Sequence, residues 1–103
     1  MRQTTIDTGS GVVLLSRPAA RALCARLLAG TPAGVAAAWK LLRQEEGAAP
    51  IELDHAESIE VVAVTLDAFD ATKDVALLEL RYGLFETLGL HPLRPPSIVR
   101  PAT

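Results

Sequence analysis

Four aromatic side chains, one cysteine, one methionine and no asparagine occur in this chain of 103 residues. Each scarcity excludes something. The lone Cys24 cannot make an intramolecular disulfide framework or a multi-cysteine zinc module. Half of the residues are apolar yet few are aromatic, so the core has to be built from Ala, Leu and Val, which suits close-packed helices better than a β-sandwich. No stretch approaches the roughly 20 apolar residues that span a membrane, because the longest nearly apolar run, Leu27 to Trp39, is broken by Pro32. The first ten residues are polar and do not read as a signal peptide. The expectation is a soluble, cytoplasmic protein with no membrane contact. Arg outnumbers Lys eight to two, Ala and Leu dominate, and such codon usage points to a high-GC bacterial or phage genome.

Charge is present in ordinary amount but is unevenly placed. Residues 1 to 44 carry six basic side chains against Asp7, whereas residues 45 to 90 carry eleven acidic ones against Lys73 and Arg81. An asymmetry of this kind flags either a nucleic-acid or acidic partner for the basic half, or two complementary halves of one domain that face each other.

The chain also says nearly the same thing twice. Val12-Val13-Leu14-Leu15-Ser16 and Pro50-Ile51-Glu52-Leu53-Asp54 each run from a β-prone segment ending in Leu to a residue that can cap a helix N-terminus, and each leads into an apolar helical pattern. The implied fold is α+β, mainly helical, with two strand–helix–helix halves whose short strands lie at one end. Residues 1 to 90 read as one compact domain, and residues 91 to 103 as an extended Pro-rich tail.

Within the first half, Thr4 to Asp7 and Val12 to Leu15 flank Thr8-Gly9-Ser10-Gly11 and read as a hairpin. Ser16 opens a helix with Pro18 in its first turn and Leu23, Cys24 and Leu27 on its apolar side. Thr31-Pro32 opens a second helix that carries Val35, Trp39 and Leu42. In the second half, Ile51 to Leu53 form a short strand and Asp54 to Glu57 a capping box. Ile59, Val62, Leu66 and Phe69 then share one helical face, although residues 59 to 66 are β-branched enough to make a strand instead. Asp70 is read as the cap of a last helix, Ala71 to Leu88, ended by Gly89.

Tests for chemistry fail residue by residue. Gly9-Ser10-Gly11 is not a nucleophile elbow, and no glycine loop is followed by GK[ST]. Asp70 to Asp74 starts like a calcium loop, but Val75 occupies its glycine position and Arg81 its bidentate Glu. His55 and His91 lie at unrelated element ends, which leaves no metal set, and Cys24 sits in the apolar pattern of the first helix as a small core residue. Among the carboxylates Glu52, Asp54, Glu57 and Glu60, two are accounted for by helix capping. No catalytic residue and no cofactor are therefore expected.

Two functional classes remain. Helix, Gly30-Thr31-Pro32, helix is a connection used by helix-turn-helix modules, and Lys40 and Arg43 could then touch phosphates. The first turn of the second helix, Pro32 to Ala36, has nothing to read base edges, which disfavours nucleic acid. The last helix carries two apolar seams, Val75-Leu78-Tyr82-Phe85 and Leu77-Leu80-Leu84-Leu88. Assigning the larger rings to the core leaves Leu77, Leu80, Leu84 and Leu88 as an interface. The function expected is a small non-catalytic interaction or regulatory module, a homodimer with an unidentified protein partner, and a helix-turn-helix DNA-binding regulator is the alternative.

Overall fold

A computed structural model of the chain describes residues 4–45 and 47–89. The reading of residues 91 to 103 as an extended tail lies outside them. The element order is β1 (Thr4–Asp7), β2 (Val12–Leu15), α1 (Arg17–Leu28), α2 (Pro32–Arg43), β3 (Ile51–Glu52), α3 (His55–Thr72) and α4 (Ala76–Leu88). This is the α+β fold with two strand–helix–helix halves. Residues 59 to 66 belong to a helix, which settles the strand-or-helix ambiguity.

The N-terminal hairpin is closed by Thr8, whose N–H and hydroxyl both donate to the Gly11 carbonyl at 2.8 Å. Alternation along β2 sends Val13 and Leu15 inward and Val12 and Leu14 to solvent. The sheet order is β2-β1-β3, with β1 antiparallel to β2 and parallel to β3. Because β3 pairs only with Ile6 and Asp7, Thr5 would be left with open backbone groups. Gln44 takes them: its Oε1 accepts from Thr5 N at 2.9 Å, and its Nε2 donates to Thr5 O at 3.1 Å.

Ser16, Thr31 and Asp54 cap α1, α2 and α3 through their side chains, as their residue types require. At Asp54 the box is complete, with Asp54 Oδ1 accepting from Glu57 N at 2.7 Å and Glu57 Oε1 from Asp54 N at 2.9 Å. The expected cap at Asp70 is corrected. Helix α3 runs on to Thr72, Lys73 takes a left-handed conformation at φ 58°, and Asp74 Oδ1 accepts from Ala76 N at 3.0 Å. Asp74 Oδ2 also accepts from the Ser16 hydroxyl at 2.5 Å. One hydroxyl thus caps α1 and binds Asp74, whose carboxylate also accepts from the N–H of the first residue of α4. The bonds from Ser16 and from the Ala76 N–H hold the Asp74 carboxyl below the ordinary carboxylate range.

The core gathers Ile6, Leu15, Leu23, Leu27, Val61, Leu77, Leu80 and Leu84. This overturns the interface assigned to α4. Leu77, Leu80 and Leu84 are at most 1% exposed inside the chain's own core and Leu88 is half-buried against it, while Tyr82 is 46% exposed and Val75 faces solvent. Of the seam assigned to the core, only Phe85 is buried, under the Arg81 guanidinium at 4.8 Å.

The physical reason is Gly83. A Cβ built there would lie 2.7 Å from Thr8 Oγ1, so only a residue without a side chain lets the hairpin turn reach the helix. Thr87 then donates to the Thr8 carbonyl, and Ser10 Oγ donates to Gly83 O at 3.2 Å. With that side of α4 held against the turn, its rotation is set and the leucine row points inward. Alanine at position 83 gains about 1 kcal/mol of helix propensity but forces apart a closed contact. Gly83→Ala is expected to destabilise the fold by about 1–3 kcal/mol in urea unfolding, and a stabilised variant would show that the contact is slack.

Candidate functional site

Helix α2 reverses the usual distribution of side-chain size. Gly34, Ala37 and Ala38, with Leu41, form its buried face. A Cβ at Gly34 would stand 3.0 Å from the Leu27 carbonyl, so α2 lies close against the end of α1. The large residues go the other way. Pro32, Ala36, Trp39 and Arg43, at i, i+4, i+7 and i+11, make the exposed stripe, with Leu42 beside it. Trp39 is 48% and Leu42 51% exposed, and the Arg43 guanidinium stacks 5.5 Å from the indole centroid.

Two concavities border the C-terminal turn of α2. One is a cleft of about 260 Å³ between α1 and α2, lined by Arg17, Arg21, Cys24, Leu42 and Gln44 among others. The other is a shallower depression of about 500 Å³, lined by Lys40, Arg43, Ala49 and Ile51 among others. Leu42 joins the first to the Trp39 stripe, and Arg43 joins the second. Arg17, Arg21 and Arg43 form no ion pair among the described residues.

The sequence-predicted contacts separate here. Lys40, read with Arg43 as a phosphate contact, is already engaged: its Nζ donates to Glu57 Oε1 at 2.6 Å and to Glu52 O at 3.0 Å. Glu57 is buried, so this bond holds a carboxylate that would otherwise be desolvated alone, and Lys40 is not free for a backbone phosphate. Arg43 remains on the surface. The leucine row Leu77, Leu80, Leu84 and Leu88 contributes nothing to this surface, since it is packed beneath the sheet and α3.

Other candidates resolve as structure. Glu57 serves the capping box and Lys40, Asp54 serves the same box, and neither shares a site with the half-exposed Glu60. His55 is the exposed first residue of α3, and His91 lies outside the described residues. No group of three or more His, Cys, Asp or Glu among the described residues could hold a metal ion. No helix among them is long and apolar enough to cross a membrane.

The sequence alone puts Trp39 with Val35 and Leu42 on the second helix and does not mark it as a surface residue. The signal that would have found it is the small-residue spacing Gly34, Ala37, Ala38 on the opposite side, which marks a close helix–helix contact rather than a weak face. Comparison of the chain with protein-family models, with curated proteins and with solved structures returns no match.

Cys24 forms part of the cleft floor and is buried, with Sγ 3.9 Å from the Ala38 carbonyl. Burial pushes its thiol pKa up to about 11. Because the thiolate is the reactive form, native Cys24 is expected to label at pH 8 about 100-fold more slowly than the unfolded chain. Comparable rates measured with a chromogenic disulfide reagent would show that the thiol is open and ionisable.

Proposed function

We propose that this protein is a cytoplasmic, non-catalytic protein-interaction module of regulatory type, and that its contact surface is the outer face of α2. One observation carries the reading. The only tryptophan lies half in water with Arg43 stacked on it and Leu42 beside it, while glycine and alanine fill the buried side of the same helix. Full burial of a large apolar side chain is worth about 1.5–3 kcal/mol, and much of that is forgone at both Trp39 and Leu42 in the isolated chain. Trp and Arg are the residue types enriched at interface hot spots, where a partner recovers that energy by excluding water. The two flanking concavities give a partner's side chains places to enter.

The helix-turn-helix regulator is the second reading. In its favour stand Arg17, Arg21 and Arg43, with no acidic partner among the described residues. Against it stand the pairing of Lys40 with Glu57 and the lack of base-reading side chains from Pro32 to Ala36.

Trp39→Ala combined with Leu42→Ser removes the surface but little of the core, so the melting temperature is expected to change only slightly. Tagged wild-type protein should capture a binding protein from its host lysate, and the double variant should lose it. Equal capture by both would place the contact elsewhere. Retention on heparin with a steep salt dependence, together with capture of no protein, would favour the DNA-binding reading.

A further inference from the structure

The α2 face has a counterpart on α3. The buried side of α3 is Glu57, Ser58, Val61, Val62, Thr65 and Ala68, which leaves Ile59, Ala63 and Leu66 at i, i+4 and i+7 on the outside. Ile59 is 44% and Leu66 45% exposed. Glu60 and Asp67 flank this stripe and form no ion pair among the described residues. The α2 stripe is apolar and basic, and the α3 stripe is apolar and acidic.

The charge separation along the chain therefore survives folding on these two helices. Lys40 with Glu57 is the one ion pair among the described residues that joins the basic first half to the acidic second half. Neither stripe can meet the other within one molecule, because each faces outward from its own helix while Lys40 and Glu57 bridge α2 and α3.

Resting on the reading that the outer α2 face binds protein, we propose that one of its occupants is a second copy of this chain, docked through its α3 stripe. Trp39 and Leu42 of one copy meet Ile59, Ala63 and Leu66 of the other, and Arg43 meets Asp67. The pair then keeps one unused α3 stripe on one copy and one unused α2 stripe on the other, so the contact is head-to-tail, and it grows or closes according to the rotation between copies. A symmetric α2–α2 contact would instead bring Arg43 against Arg43. Complementary charge favours the first arrangement and opposes the second.

The test uses charge reversal on each stripe, read by analytical ultracentrifugation of the full chain and by fluorescence of its only tryptophan. The wild type is expected to self-associate, with emission from Trp39 moving to the blue, and to dissociate as salt shortens the Debye length to about 3 Å near 1 M. Arg43→Glu alone and Asp67→Arg alone are each expected to weaken association at least ~10-fold while keeping the native circular dichroism. An equimolar mixture of the two variants should associate again, since each supplies the intact stripe that the other lacks.

A wild type that stays monomeric at low salt overturns the proposal. So does association that Arg43→Glu weakens but Asp67→Arg leaves unchanged, which would indicate the α2–α2 contact, or a mixture that stays monomeric. None of these results touches the wider reading of α2, which fails if the wild type captures no protein or if the Trp39→Ala, Leu42→Ser double variant still captures the lysate protein.

Discussion

The rest of the structure depends on a contact that one missing side chain makes possible, the approach of the hairpin turn to α4 at Gly83. Thr8 fills the space a Cβ would occupy, Thr87 donates to the Thr8 carbonyl, and Ser10 donates to Gly83 O. A helix with apolar residues on both of its seams has two nearly equivalent ways to pack, and hydrophobicity alone does not choose between them. The glycine does. Once that side of α4 lies on the turn, Leu77, Leu80 and Leu84 are committed to the core and Tyr82 to water. Helix α3 then packs on α4, with Arg81 Nη1 donating to Val62 O at 3.0 Å, and its own outer stripe is thereby determined.

Beyond the hairpin turn, two further polar junctions join the halves. Ser16 Oγ accepts from Ala19 N and donates to Asp74, so the start of α1 is tied to the start of α4. Lys40 ties the end of α2 to the capping box of α3 through Glu57. Both junctions lie where helix termini expose unpaired backbone groups, so each tertiary bond also completes a local one. The basic residues of α1 and α2 and the acidic residues of α3 stay on separate helices.

Local signals were legible in the sequence and rotational ones were not. The caps at Ser16, Thr31 and Asp54, the hairpin, the third strand and the repeated strand–helix–helix order follow from residue type and spacing. Asp70 was misread as a cap because Lys73 adopts a left-handed turn that few residues other than glycine use, which moved the break to Asp74. The faces of α3 and α4 differ from the expected ones, and no face of α2 is legible from its large residues. Large apolar residues suggest an inward face, whereas on α2 and α4 close contacts are made by Gly34, Ala37, Ala38 and Gly83, and the size of a side chain says less about its direction than the space available to it. The separation of charge was visible at once, but its meaning depended on which helix faces are free.

The central claim is that α2 turns its small residues inward and Trp39 outward, and iodide quenching of the single tryptophan in dilute, high-salt solution tests it most directly. The account predicts native emission close to that of a water-exposed indole, and quenching that approaches the value for the unfolded chain. Blue-shifted emission that iodide scarcely quenches, persisting at the lowest protein concentrations, would place Trp39 in the core and contradict it.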